Sequence, residues 1–195
     1  GGGHGDYHLM VLAPSTVQEA VDLTMLAFRK AEQYRNPVMV LGDGMIGQMM
    51  EPVEFKALPE NTGLPSKQSW ATCGASDRPR NIVRSLFLSP EVLEDNCHQL
   101  AAKYEQWHRD EVRHETYNTD GDIELLMVSY GTMSRICMTA IDELKEQGRR
   151  VGLIRPVSLY PFPQAAVAEL CDRVDHVLCV EMSMGQMLED VQRAA

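Results

Sequence analysis

The sequence has no cluster of lysine and arginine. Its 18 Lys and Arg stand against 28 Asp and Glu, a formal net charge of −10. With no basic stripe to neutralise phosphates, nucleic acid and anionic membrane surfaces are excluded as partners. Any anion site must be built locally. No apolar run approaches the ~20 residues that would cross a bilayer. The opening Gly1-Gly2-Gly3-His4-Gly5-Asp6 does not have the form of a signal peptide. The five cysteines (Cys73, Cys97, Cys137, Cys171 and Cys179) are odd in number and include no C-x-x-C pair. That spacing argues against a zinc ribbon, a cluster ligand set or a secreted disulfide scaffold, and points to reduced thiols in the cytoplasm. What is present is a globular composition, 44% hydrophobic and 24% charged over 195 residues. That is enough chain for one or two domains with a real core.

The chain opens without Met in a glycine-rich loop and ends inside a helical pattern, so it reads as a piece of a longer protein. Three regions follow from the periodicity. In the first, residues 1–58, the apolar run Leu9–Leu12 precedes a helix start. Ser15 with Gln18, or Thr16 with Glu19, has capping-box spacing. Val17, Val21, Met25 and Phe28 mark the helical stripe, widened by Leu23 and Leu26. Asn36-Pro37 ends the helix, and Val38–Leu41 is the unbroken apolar run of a strand buried on both faces. This makes one βαβ unit, which cannot close a core alone. In the second region, residues 59–120, a Pro- and Gly-bearing linker leads to a long helix. Ser89 is its N-cap and Pro90 its first residue. Leu93, Cys97, Leu100, Tyr104 and Trp107 form a narrow apolar seam along it. In the third, residues 121–195, strands (Ile123–Val128, Val151–Ile154, Val177–Val180) alternate with helices. The first helix closes at Gly148, the second begins at Pro163 and the third spans Gln186–Ala194. The predicted class is α/β, with parallel sheets flanked by helices.

Four motifs carry candidate chemistry. Gly42-Asp43-Gly44-Met45-Ile46-Gly47 matches G-x-G-x-x-G, but Pro52 and the irregular chain beyond it supply neither the helix nor the acidic strand end that a dinucleotide site needs. The same Gly42-Asp43-Gly44 resembles the start of the thiamine diphosphate motif, yet no Asn-Asn pair follows. One Asp cannot satisfy the octahedral oxygen shell of Mg²⁺, so a glycine-rich turn leaving the sheet is the preferred reading. His4, Asp6 and His8 alternate along one face, but lack a further ligand and supporting shell for a metal. His4 remains open as a donor or proton carrier, because its reference pKa of about 6.5 suits that role. Val128-Ser129-Tyr130-Gly131-Thr132 leads a strand into a helix, whose free N–H groups could meet an anion. Ser129 or Thr132 as a nucleophile would need an oriented base, and no G-x-S-x-G elbow exists.

Taken together, several strings resemble the α subunit of 2-oxoacid:ferredoxin oxidoreductases. They are Gly1–Asp6, Val11-Leu12-Ala13-Pro14, Asn36-Pro37-Val38, Leu41-Gly42-Asp43-Gly44, Ser129-Tyr130-Gly131-Thr132, Arg155-Pro156, Leu159-Tyr160-Pro161-Phe162-Pro163 and Val180–Gln186. The resemblance spans nearly the whole chain and is nearest the branched-chain (2-oxoisovalerate) type, with the 2-oxoglutarate type as rival. It implies the last part of a transketolase pyrimidine-binding-like domain (1–58), the linker and long helix (59–120), and a transketolase C-terminal-like domain (121–195). It further implies a β subunit carrying thiamine diphosphate with Mg²⁺, and iron–sulfur clusters on that β subunit and on a ferredoxin-like subunit. A γ subunit is a further implied partner, coenzyme A the co-substrate and ferredoxin the electron acceptor. In the family, the glutamate that activates the cofactor and the segments that bind the substrate carboxylate lie upstream of Gly1. On the resemblance, His4 and Asp6 are catalytic candidates at the cofactor cleft, and Gly5 and Asp43 are cofactor-binding candidates. A non-catalytic scaffold, docking through the Trp107 helix, is the reading from another class. A nucleotide module at the Thr132 turn is a further rival, whose second strand ends in Arg155 where a ribose-binding acid would stand.

Overall fold

The computed structural model describes residues 5–57 and 63–195. Twelve elements follow in order: β1 (Met10–Leu12), α1 (Val17–Tyr34), β2 (Val38–Val40), α2 (Pro90–Asp110), β3 (His114–Tyr117), β4 (Leu125–Ser129), α3 (Gly131–Glu146), β5 (Val151–Pro156), β6 (Ser158–Tyr160), α4 (Gln164–Cys171), β7 (Val177–Val180) and α5 (Gln186–Ala194). They build two sheets, ordered β2-β1-β6 and β3-β5-β4-β7. No helix among the described residues is long and apolar enough to cross a membrane.

In the first sheet β1 and β2 are parallel, with Met10 opposite Val38 and Leu12 opposite Val40. This is the βαβ unit that the apolar runs predict. Thr16 is the N-cap of α1, its side chain accepting from the Glu19 N–H. The second capping-box alternative is therefore the one used, with a difference. The Glu19 carboxylate reaches one residue further back, accepting from both the N–H and the hydroxyl of Ser15. At the far end Arg35 turns left-handed (φ 49°) ahead of Asn36-Pro37. Two expectations fail here. Phe28 is 73% exposed, because α1 buries the stripe of Leu23, Ala27 and Tyr34 instead. Nor is β2 buried on both faces: it is an edge strand, with Met39 39% exposed.

The α2 seam packs only toward its end. Tyr104 and Trp107 join Met10, Leu12, Leu23, Ala27, Tyr34 and Val157 in one core. Trp107 is fully buried and meets the rings of Tyr34, Tyr104 and Tyr160 edge-on. Losing such a side chain costs about 3–5 kcal/mol, enough to anchor the helix by its last turns. Leu93, predicted in the seam, is 44% exposed.

The second sheet is parallel at its centre, where β4 pairs with β5 and with β7. Helix α3 covers one face through Cys137 and Ile141. Helices α4 and α5 cover the other through Val167, Leu170, Met187 and Val191. Burial on both faces explains the apolar run of β4, and every residue of β5 is buried. Helix α3 closes in a Schellman motif: Gly148 (φ 79°) bonds back to Lys145 and Arg149 to Leu144. Two strands lie outside the predicted set. β3 is polar and pairs antiparallel at the edge of the second sheet, from His114 opposite Pro156 to Tyr117 opposite Leu153. β6 leaves the third region and pairs antiparallel with β1 in the first sheet, Val11 opposite Tyr160.

Candidate functional site

Parallel strands place their carboxyl ends together, and in open α/β sheets that end is where ligands bind. Here β2 delivers Gly42-Asp43-Gly44 and β4 delivers Gly131-Thr132, and the two meet. One oxygen of Asp43 accepts from the Met45 and Ile46 N–H groups, both at 3.0 Å, and from the Thr132 hydroxyl at 2.9 Å. The other accepts from the Thr132 N–H at 2.9 Å. Asp43 thus supplies an anion to the free N–H groups and positive dipole end of α3. Partial burial would raise its pKa, but the bonds from Thr132, Ile46 and Met45 outweigh that and hold it below the ordinary carboxylate value. A Cβ on Gly131 (φ 61°) would sit 3.0 Å from the Asp43 oxygen, so both the backbone angle and the close approach require glycine there. The Gly-Asp-Gly turn and the Thr132 anion turn, separate candidates in the sequence, are two halves of one contact.

A second junction is ionic. Arg155, on β5, is 2% exposed. Its guanidinium forks onto Glu19 at 2.8 and 3.0 Å and also reaches Glu115 at 2.8 Å. The fork suits a planar guanidinium. Burial would raise the Glu19 pKa, but the bonds from Arg155 and Ser15 bring it below its usual value. Nearby, the Glu111 side chain is 2% exposed and accepts from Lys30 (2.6 Å), Tyr34 (2.7 Å) and Arg113 (3.0 Å). These bonds outweigh its burial and hold it charged, while burial and the Glu111 carboxylate push the Tyr34 phenol far above its ordinary range. At the carboxyl end of β7, Glu181 accepts from the N–H groups of Met187 (3.1 Å) and Leu188 (3.0 Å) and from the Ser183 hydroxyl. It caps α5 in place of Gly185, which has no side chain.

The loop candidates lie elsewhere. His4 is outside the described residues. Gly5 has φ 113°. Asp6 is exposed and faces α2, where the Cys97 thiol meets its carboxylate at 3.7 Å. With His8, His98, Tyr104 and His108 it borders a surface cavity of about 480 Å³. The His8 ring stacks on Tyr160 at 4.6 Å and meets Tyr104 edge-on, and its backbone N–H donates to the Tyr104 hydroxyl. Burial first, then the neighbouring His108, lowers the His8 pKa below its ordinary value. No hydrogen bond among the described residues joins Asp6 to Asp43. Sequence reading missed the roles of Glu111, Arg155 and Glu181. Only Glu19 carried a local signal, its capping-box spacing.

The donor set bears on the cofactor that the family resemblance implies. No group of three or more His, Cys, Asp or Glu among the described residues could hold a metal ion. Asp43 has both oxygens committed to α3 and its own turn. The described residues therefore do not fit the metal–diphosphate end of thiamine diphosphate.

Comparison with known proteins gives consistent matches. The family described as pyruvate flavodoxin/ferredoxin oxidoreductase, thiamine diphosphate-binding, matches residues 4–110. The family described as pyruvate:ferredoxin oxidoreductase core domain II matches residues 123–195. The chain is 46% identical to the ketoisovalerate oxidoreductase subunit VorB of Methanothermobacter thermautotrophicus, over all of this chain and 54% of that protein. It is 32% identical to the 2-oxoglutarate synthase subunit KorA of the same organism, over all of this chain and 58% of that one. The chain thus spans a little over half the length of these relatives. A solved 2-oxoglutarate:ferredoxin oxidoreductase from Magnetococcus marinus, with 2-oxoglutarate, coenzyme A and succinyl-CoA bound, superposes with a TM-score of 0.76 at 18% identity. It covers all of this chain and 38% of that one, a likeness of fold.

Proposed function

The chain belongs to the pyruvate flavodoxin/ferredoxin oxidoreductase family, and from that premise we propose that it is part of the α subunit of a branched-chain 2-oxoacid:ferredoxin oxidoreductase. The proposed reaction joins a 2-oxoacid and coenzyme A into acyl-CoA, releases CO₂, and passes the electron pair to ferredoxin. Thiamine diphosphate supplies the carbanion chemistry. What carries the reading is the gap between 46% identity to a ketoisovalerate oxidoreductase subunit and 32% to a 2-oxoglutarate synthase subunit, both over the whole chain.

On this reading the metal and diphosphate lie on a β subunit, with iron–sulfur clusters on that subunit and on a ferredoxin-like one, and a γ subunit completing a cytoplasmic complex; the lack of a metal-ligand group among the described residues supports the first of these. This chain's own work is to shape the cleft. On the family resemblance His4 and Asp6 act there, and the Asp43 contact fixes the turn after β2 against α3. The test is 2-oxoacid-dependent reduction of a viologen dye by the complete complex with coenzyme A. A higher kcat/KM for 3-methyl-2-oxobutanoate than for 2-oxoglutarate is expected. The reverse order would assign the chain to the 2-oxoglutarate type, and activity with neither would leave the scaffold reading.

A further inference from the structure

The chain leaving β2 crosses to the second sheet's helix and returns to α1, and two acids mark the crossing. The uncharged stretch Gly44 to Met50 separates Asp43 from Glu51. Asp43 holds the start of α3, as described. Glu51 divides its two oxygens. One accepts from the Val17 N–H at the start of α1, at 3.0 Å, and the other meets the Arg135 guanidinium on α3 at 2.8 Å. Arg135 also reaches the Met49 sulfur at 3.5 Å. Thr132 and Arg135 are three residues apart on α3 and so share one face of it. Both ends of the loop therefore grip the same face. Between the grips the loop is folded on itself: the Gly47 N–H bonds to the Asp43 carbonyl, those of Gln48 and Met49 bond to the Met45 carbonyl, and Ile46 is buried. Beyond Glu51 the chain is strapped along α1, by two bonds between Gln18 and the Glu54 backbone and by Lys56 on Asp22.

We propose that Glu51 is a positioning residue: with Asp43 it clamps this loop across the seam between the two sheets, and the clamp sets the spacing of the strands' carboxyl ends at the cleft. The proposal rests on the reading above, in which this chain shapes that cleft. A part-exposed ion pair such as Glu51 with Arg135 contributes little by itself. Its weight comes from what it joins. One oxygen satisfies a first-turn N–H of α1 that has no partner within its helix, and the other holds the first turn of α3. The two acids also work together. Once Asp43 is seated on Thr132, the folded loop keeps Glu51 within reach of Arg135, so the second contact closes at a high effective concentration. Releasing either end loosens the other. Catalysis is more sensitive to such loosening than stability is, because a misplacement of about 1 Å remote from the reacting atoms can cost on the order of 10²-fold in rate.

The experiment uses the complete complex and two readouts, amide hydrogen exchange by mass spectrometry and steady-state reduction of a viologen dye. Glu51→Ala should speed exchange at Val17, which Glu51 touches, and also at Thr132, which it does not, each by about 10-fold, the scale of one lost hydrogen bond. It should lower kcat roughly 10-fold while KM for the 2-oxoacid stays within about threefold. Glu51→Gln keeps an acceptor for Val17 but not the charge that faces Arg135, and should fall between Glu51→Ala and wild type. Glu51→Ala combined with Arg135→Ala should lose no more than the worse single variant, because both remove one contact. Gln18→Ala is the structural control: it frees the strap from α1 without touching the seam, so Tm should fall while kcat and Thr132 exchange stay at wild-type values. Thr132 exchange that does not respond to Glu51→Ala would make the two acids independent and overturn the clamp. An unchanged kcat with both amides deprotected, or an equal loss of kcat in Gln18→Ala, would overturn the positioning role. A wild-type complex inactive toward every 2-oxoacid would instead overturn the function proposed above, and the exchange readout, which needs no substrate, would still decide the clamp.

Discussion

Replacing Arg155 by Met tests whether the β5–α1 junction is held by a buried ion pair or by its apolar surroundings. Met keeps much of the side-chain length but removes the guanidinium. Glu19, 20% exposed, then retains only its bonds from Ser15, and Glu115, 58% exposed, returns to water. Removing one partner of a buried pair costs about 3–5 kcal/mol. Because Glu19 can be partly rehydrated, a loss near the bottom of that range, about 3 kcal/mol, is expected. For a chain of this size that is a fall of roughly 6–12 °C in Tm. Arg155→Lys should lose less, since an ammonium keeps the charge but cannot fork. The pH dependence distinguishes the ion pair from packing. The folded pKa of Glu19 is depressed, so its contribution is present above the unfolded value and is lost as pH falls through the folded one. The difference in Tm between wild type and Arg155→Met should therefore be full at pH 7 and shrink below about pH 4.5. Differential scanning calorimetry from pH 3 to 7 measures it. A difference under about 0.5 kcal/mol at pH 7, or one that persists unchanged at pH 3, would refute the reasoning.

Other outcomes follow from the same geometry. Asp43→Ala should cost about 1–2 kcal/mol, the scale of a lost N-cap, with Asp43→Asn losing less; thermal unfolding that does not change would remove Asp43 from the α3 start. Iodoacetamide at pH 7.5 should label the exposed Cys73 well before the buried Cys137, and should spare Cys179, whose thiol burial and the Glu181 carboxylate push up to about 12; peptide mass spectrometry gives the order. In the complete complex His4→Ala should lower kcat by ~10²- to 10⁴-fold if it moves a proton, with little change in Tm; unchanged steady-state kinetics would return His4 to a polar loop. Elemental analysis of the isolated chain should find no stoichiometric iron, because cluster ligands must converge and these cysteines sit in separate elements.

Legibility followed the range of the force involved. Elements set by local chemistry were readable. β7 and α5 begin and end where their apolar pattern does, and Gly148 closes α3 because a left-handed turn needs it. Strands whose burial comes from distant chain were not. His114–Tyr117 has a polar surface because β3 is an edge, and Ser158–Tyr160 is too short between its prolines to show a period. Val38–Val40 misled in the opposite direction: its apolar run suggests two covered faces, yet the described residues cover β2 incompletely. The site was legible as residue types and not as partners. Asp43 and Thr132 each stood out alone, but nothing local ties them across the intervening chain, and Arg155 gives no sign that Glu19 is its counter-ion.

The return of β6 to the first sheet sets an order on synthesis. A ribosome releases β1, α1 and β2 well before β6, and these can pair at once as a local parallel unit. The strand that seals the other side of β1 lies beyond α2 and most of the second sheet. Val11 must wait for Tyr160 to emerge. Until then that edge of β1 lacks β6, its partner among the described residues, which is the hazard of late, long-range strand pairing. Slowing translation between Asp110 and Tyr160 should therefore lengthen the exposure of that edge and lower the soluble yield, whereas the same pause placed after Tyr160 should leave it unchanged.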